Sequence, residues 1–318
     1  MMASTRVMTR RQALLAACGV GGLALTRAHG AEATSERTGK KEVRIGCGTV
    51  TFRKLSLDDA LQRIARAGYE YCETQATGPW CPHVDAWKDD PEKFKRRVQD
   101  YGFKGVTGLW SPHGAIIANP KSVEGITQAI RWAAAAGIPV VHAGDGKKPE
   151  GMSDDDALKL MRGRLAEILE VAEKCRVYLG IEPHGSFSLT TEGLRRIMGL
   201  SSSPWLGINY DTANVHRVTY AEKAEGAYAF QPYGERQDEV ATLAAVADRV
   251  VHLHLKDVVG AKCVALGEGG VNLAGCLDVL RQRHYAGAFS LETEGDMDPQ
   301  LGQQMIERSR AWLVKALA

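Results

Sequence analysis

The chain has 318 residues, 44% of them hydrophobic and 25% charged, with a formal net charge of +2. This is an ordinary globular profile, without the basic excess that a polyanionic partner requires. The length admits two average domains or one α/β barrel of about 250 residues. Its seven cysteines (Cys18, Cys47, Cys72, Cys81, Cys175, Cys263, Cys276) form no CxxC pair, which excludes zinc-ribbon and thioredoxin-type sites.

At the N-terminus, Arg10 and Arg11 precede a mildly apolar, Gly/Ala-rich run from Ala13 to Leu25, and Ala28-His29-Gly30 supplies small residues before Ala31. The pattern resembles a twin-arginine export signal, which addresses a folded protein to a bacterial periplasm or another extracytoplasmic site. The run is too short to span a bilayer. A lipoprotein signal ending at Cys18 fits less well, because only six residues separate Cys18 from Arg11. The expected organisation is a signal over 1–30, a disordered leader over 31–41 and a folded unit over 42–318. Cleavage after residue 30 removes four arginines and no acid, leaving 36 basic against 38 acidic residues and a charge near −2.

From residue 43 onward, short β-like runs alternate with helical patterns. Val43–Thr51 reads as a first strand, followed by a helix from Ser56 to Gly68. Tyr69–Gln75 is a second strand, then comes a loop rich in Pro, Trp and His over 77–87 and a helix over 91–101. Gly105–Trp110 is a third strand, ending in the loop Ser111-Pro112-His113-Gly114. A helix over 122–136 leads to the strand Val140–Gly144. The long helix 154–175 opens behind Ser153 with three aspartates that suit the positive end of its dipole. Tyr178–His184 is a fifth strand, 191–200 a short helix and Leu206–Asn214 a sixth strand, followed by a loop over 215–234. Helix 235–247 leads into Val250–Asp257, where His252, His254 and Lys256 share one face of a strand and Val251, Leu253 and Leu255 the other. A Gly-rich turn at 266–270, a helix over 273–283, the strand Ala288–Glu294 and a helix over 299–316 complete the chain.

Eight strands alternating with eight helices predict an α/β fold of the (β/α)8 TIM-barrel type. An open doubly wound sheet would want a Gly-rich phosphate loop after its first strand. Gly46-Cys47-Gly48-Thr49-Val50-Thr51 lacks the third glycine of that fingerprint.

In a barrel, site residues come from the C-terminal ends of the strands. Strands five to eight end in Glu182-Pro183-His184, Tyr210-Asp211-Thr212-Ala213-Asn214, His252-Leu253-His254-Leu255-Lys256 and Leu291-Glu292-Thr293-Glu294. Glu182, Asp211, His254 and Glu292 therefore converge at comparable depth. Three carboxylates and one imidazole suit one divalent cation, with Mn²⁺, Co²⁺ or Mg²⁺ favoured by the oxygen-rich set and Zn²⁺ also accommodated. Taken singly, each has a bland role: glutamates paired with arginines, Asp211 capping a turn, His254 as a core histidine.

With those motifs, Ile-Glu-Pro-His, Tyr-Asp-Thr-Ala-Asn, His-Leu-His-Leu-Lys-Asp, Leu-Gly-Glu-Gly-Gly and Leu-Glu-Thr-Glu, residues 43–316 resemble the xylose isomerase-like barrel superfamily. This is the sugar phosphate isomerase/epimerase group that also contains endonuclease IV. The resemblance implies that Glu182, Asp211, His254 and Glu292 hold the metal. It also implies that Glu182 and Glu292 move protons at the carbon beside a sugar carbonyl. The chain departs from the ketose 3-epimerases at Asn214, Ser188 and Gly260, where they carry a histidine, an acid and an arginine. Endonuclease IV needs the same histidine and an Asp-x-His where this chain has 262–266, so a nuclease and a nucleic-acid partner are not expected.

Lys256 shares the face of His254. It is expected either to stabilise an enolate oxygen or donate a proton, or to pair with Glu268 or Asp257. His113, His184 and Trp110 are candidate sugar-binding residues; His142 reads as a barrel-interior residue, and Trp80, His83 and Trp87 as a lid or a packed loop. The expected partners are a small sugar or glycoside, the twin-arginine export machinery and a second copy of the chain. The expected function is a metal-dependent sugar isomerase/epimerase acting on a non-phosphorylated sugar. A 3-keto-glycoside lyase or hydratase working by β-elimination is the first alternative, and a non-catalytic sugar-binding barrel the second.

Overall fold

The computed structural model describes residues 43–224, 227–232, 234–294 and 298–318, with the backbone alone for 219–232. The signal and leader expected over 1–41 lie outside the described residues. β1 (Arg44–Gly48) passes into a 3-10 turn at Thr49–Phe52, earlier than the strand end expected at Thr51. Then come α1 (Leu57–Arg66), β2 (Tyr71–Gln75), α2 (Pro91–Asp100), β3 (Gly105–Ala115), α3 (Ser122–Ala136), β4 (Val140–Gly146), α4 (Asp154–Cys175), β5 (Tyr178–Gly185), α5 (Thr191–Met198) and β6 (Leu206–Asp211). Helix starts follow local chemistry. The side chains of Ser56, Asp90, Ser153 and Thr190 each accept a first-turn N–H that would otherwise lack an intrahelical partner.

After β6 the structure corrects two expectations. The sixth strand stops at Asp211 rather than Asn214. The Asp211 carboxylate accepts the Asn214 N–H at 2.7 Å and turns the chain into α6 (Thr212–Arg217). The stretch expected as a loop over 215–234 holds the end of that helix and an antiparallel pair, β7 (Thr219–Ala224) with β8 (Ala227–Pro232). Its threonine and aromatic residues favour extended backbone, and two six-residue strands satisfy one another's backbone groups.

α7 (Glu239–Val246) and β9 (Val250–Leu255) follow, then a small antiparallel pair, β10 (Asp257–Val259) and β11 (Lys262–Val264). α8 (Leu273–Gln282), β12 (Ala288–Leu291) and α9 (Pro299–Leu317) end the chain. β12 is shorter than expected, so Glu292, Thr293 and Glu294 lie just past the strand.

The parallel strands close in the order β1-β12-β9-β6-β5-β4-β3-β2, which is the expected (β/α)8 barrel. Their outward residues, among them Leu109, Val141, Ile208 and Leu253, are fully buried under the helices. The inward face is different. Such barrels usually fill their interior with branched aliphatic residues, but here Glu73, His142, Asn209, His252 and Ser290 are all buried inside. β2 and β9 are not neighbours in the barrel, so the contact between Glu73 and His254 crosses its interior. Glycines make the room: a Cβ on Gly108 would stand 2.0 Å from His142 Nε2.

Candidate active site

Glu182 on β5, Asp211 at the end of β6, His254 on β9 and Glu292 just past β12 meet at the C-terminal mouth. His254 Nδ1 lies 3.3 Å from Glu182 Oε2, 3.4 Å from Glu292 Oε2 and 4.0 Å from Asp211 Oδ2. One ligand atom from each residue falls within 4.8 Å of the others. That spacing and donor set fit one divalent cation held by three oxygens and a nitrogen. Asp211 Oδ2 and Glu292 Oε2 are buried and turned toward the Lys256 ammonium.

Each of these residues is held by specific partners. Glu182 accepts from Asn209 Nδ2 at 3.1 Å and from Asn214 Nδ2 at 3.2 Å. Arg217 Nη2 donates to Asn214 Oδ1 at 3.0 Å and to Glu294 Oε2 at 3.1 Å. Gln75 Nε2 reaches Glu292 Oε1 at 3.4 Å. Glu73, which the sequence reading did not single out, faces His254 Nε2 at 2.6 Å. A carboxylate there holds a proton on Nε2, so Nδ1, turned toward the mouth cluster, is the atom a cation would take. The one signal for Glu73 is parity: it lies between Tyr71 and Gln75 on the inward face of a strand, where an acid is costly without a partner.

Lys256 does not pair with Glu268 or Asp257. Its ammonium is fully buried, 2.8 Å from Asp211 Oδ2, 2.6 Å from Glu292 Oε2 and 3.1 Å from Glu294 Oε2. Glu268 instead pairs with Arg308 at 2.7 Å, and Asp257 accepts N–H bonds from Val258, Gly267, Gly269 and Val271.

Five buried carboxylates (Glu73, Glu182, Asp211, Glu292, Glu294) thus share two permanent cations, Lys256 and Arg217. The excess of negative charge sets the protonation pattern. Burial opposes the charge on His254, but Glu292, Glu73 and Glu182 outweigh it and raise the imidazole well above its ordinary value. Burial likewise opposes charge on Lys256, yet Asp211, Glu292 and Glu294 hold it as an ammonium. Burial would lift Glu292, but His254 and Lys256 keep it well below the usual carboxylate range. Glu182 is pushed up to about 8, first by burial and then by Glu292 and Asp211, with His254 opposing. Two carboxylates with environments that drive them apart are the usual mark of an acid and base pair.

The candidate sugar-binding residues separate. Trp110 is buried, and its ring meets the half-buried His184 edge-on at 5.7 Å. The His184 N–H donates to Ser188 Oγ at 2.8 Å, and Ser188 in turn donates to the buried Asp145. His113 is exposed within β3, which runs irregularly through the expected loop at 111–114 to Ala115; its φ of 55° is left-handed and its ring lies 5.9 Å from that of Trp87. In the loop over 77–87, Trp80 and His83 are packed inside, with the Arg53 guanidinium 5.0 Å from the Trp80 ring and His83 Nε2 3.1 Å from the Leu55 carbonyl. Trp87 is exposed.

Comparison with known proteins places these residues in context. The family described as "Xylose isomerase-like TIM barrel" matches residues 61–316. An uncharacterized protein of Methanocaldococcus jannaschii is 25% identical over 283 residues, 84% of this chain and 89% of its own. Among solved structures, a D-tagatose 3-epimerase-like protein superposes with a TM-score of 0.68 at 20% identity, covering 86% of this chain and 97% of that one. The 3-keto-D-glucoside 4-epimerase of E. coli superposes with a TM-score of 0.67 at 16% identity, covering 86% of this chain and all of that one.

Proposed function

The chain belongs to the xylose isomerase-like TIM barrel family, and on that premise we propose that it is a divalent-metal-dependent sugar isomerase/epimerase. In this reading it removes a proton beside the carbonyl of a non-phosphorylated sugar or glycoside. The observation that carries it is the convergence of Glu182, Asp211, His254 and Glu292 within 4.8 Å at the barrel mouth. The two solved structures named above, one a sugar epimerase and one epimerase-like, support the same reaction kind.

A cation held by these four residues would polarise the sugar carbonyl and its neighbouring hydroxyl. The chain's own groups do the rest. Glu292, kept ionised beside Lys256 and His254, takes the proton from carbon. Glu182, oriented by Asn209 and Asn214, carries the proton that is returned. Lys256 is a fixed positive charge in this scheme: it holds Asp211 and Glu292 in place and favours negative charge developing on the substrate oxygens. Trp110 and His184 form the rim against which a sugar ring packs, with His113 further out beside Trp87. Ser188 is committed to Asp145 and His184, and Asn214 to Glu182 and Arg217. Neither is open to a free ketose, which favours a glycoside derivative. The twin-arginine pattern supports a site of action outside the cytoplasm, where neutral sugars rather than sugar phosphates are available.

The test is proton exchange. Mn²⁺-loaded protein is incubated in D₂O with a panel of 3-keto-glycosides and ketoses and followed by NMR. Deuterium should enter at the carbon beside the carbonyl, and Glu292→Gln should slow this by at least about 10²-fold. An epimerised product completes the assignment, whereas an eliminated product would convert it to the lyase. A folded, metal-loaded protein that exchanges no proton in any of these sugars would overturn it.

A further inference from the structure

Below the mouth, three side chains that the proposed reaction does not use point at one another inside the barrel. We propose that Glu73 on β2, His142 on β4 and His252 on β9 hold a second divalent cation, of the Zn²⁺ or Co²⁺ type. All three are at least 97% buried in their side chains. His142 Nε2 lies 3.5 Å from Glu73 Oε1, and His252 Nε2 lies 3.5 Å from Glu73 Oε2. These separations are too long for hydrogen bonds between an imidazole and a carboxylate, which fall near 2.7–2.9 Å when charged. They match the edge of a tetrahedron whose centre is about 2.0–2.1 Å from each ligand, an edge of about 3.3–3.4 Å. Glu73 Oε2, His252 Nε2 and both nitrogens of His142 form no hydrogen bond among the described residues. Unsatisfied groups at that depth are costly in a finished interior.

The tautomer of His252 follows from its neighbours. Asn209 turns its Nδ2 to Glu182 Oε2 at 3.1 Å and to His254 Nδ1 at 3.2 Å, so its Oδ1 faces His252 Nδ1 at 2.9 Å. His252 must donate from Nδ1, and in the neutral ring its Nε2 lone pair then faces the Glu73 oxygen. Two lone pairs aimed at each other across 3.5 Å are repulsive unless a cation lies between them. Asn209 is also the kind of outer partner that orients a ligating imidazole. The backbone makes room: His142 reaches this position only because β3 carries Gly108, where a Cβ would stand 2.0 Å from Nε2.

Two imidazoles and one carboxylate form a nitrogen-rich set that prefers Zn²⁺ or Co²⁺ over Mg²⁺ and Mn²⁺. The mouth cluster has the opposite balance. The two sites share no ligand in this assignment, so the deep site does not rest on the proposed reaction. They touch through Glu73, whose Oε1 also faces His254 Nε2 at 2.6 Å.

The test loads the metal-free full chain with Co²⁺, counts ions per chain by mass spectrometry and records the visible absorption. Two ions are expected in the wild type. Asp211→Asn/Glu292→Gln should retain one, with the intense visible band of low-coordinate, imidazole-bound cobalt. His252→Gln, and independently His142→Gln, should lose that band and keep the mouth ion, with circular dichroism confirming the fold of whichever is scored. The deep site is overturned if the folded mouth double variant binds no cobalt. It is equally overturned if His142→Gln and His252→Gln leave count and band unchanged, the result expected of a bridging water. Failure of the mouth ion alone would sink the proposed reaction and leave the deep band intact.

Discussion

At the mouth, Asp211 and Glu292 lie against the Lys256 ammonium, and Glu294 is shared between Lys256 and Arg217. One strand repeat lower, two residues or about 6.6 Å along β9, Glu73 faces His142 and His252 at 3.5 Å. Among the described residues no lysine or arginine reaches it. The two layers solve the problem of a buried carboxylate differently. The upper one is charge-dense and carries its own cations; the lower one supplies nitrogen lone pairs and one acid. Their contrast teaches that the interior of this barrel is a stack of polar layers in which donor chemistry changes with depth, over an aliphatic exterior that only holds it together.

Removing the built-in cation of the upper layer should have the largest effect. Lys256→Met leaves Asp211, Glu292 and Glu294 facing one another without an ammonium, and loss of one partner from a buried ionic group costs about 3–5 kcal/mol. Denaturant unfolding of the metal-free variant should show that loss, and added Mn²⁺ should recover part of it. Asp145 is the control acid, buried at the end of β4 with hydrogen bonds but, among the described residues, no cation beside it. Burial outweighs the bonds from Ser188 and Phe187 and pushes it up to about 6. Its folded-state value therefore lies above its unfolded one. Its contribution to stability is complete below about pH 4 and is lost as pH rises through about 6. Relative to Asp145→Asn, the wild type should lose up to about 3 kcal/mol between those limits in unfolding titrations. A flat difference would show that the cation, and not burial, separates these acids.

Gly108→Ala probes the lower layer alone. Its new Cβ meets a buried ring, an overpacking that costs about 1–3 kcal/mol. By moving His142 it should also lower the deep-site cobalt count more than the mouth count. Glu268→Ala removes only the exposed pair with Arg308 and should change unfolding free energy by less than about 1 kcal/mol.

Much of this arrangement is legible in the sequence. The alternation in Val250–Asp257 put His252, His254 and Lys256 on one face, and four successive strand ends announced the mouth cluster. What escaped had physical reasons. The strand ending at Asp211 read as continuing to Asn214 because Asp211 serves as a helix cap as well as a site residue, and one side chain in two roles leaves one signal. Glu73 is a lone acid in a short strand, and only closure of the barrel brings it to His254, 181 positions away. His142 read as an interior residue, which it is; that it shares its depth with His252 depends on register across strands that are not neighbours. The partners of Lys256 were misjudged because proximity in sequence favoured Asp257, whose carboxylate the 267–271 turn already claims.

The most direct measurement is anomalous scattering from crystals of the full chain loaded with Mn²⁺ and Zn²⁺ together, with data collected at both absorption edges. The account predicts a manganese peak among Glu182, Asp211, His254 and Glu292, and a zinc peak among Glu73, His142 and His252. No metal of either kind among Glu182, Asp211, His254 and Glu292 would contradict it.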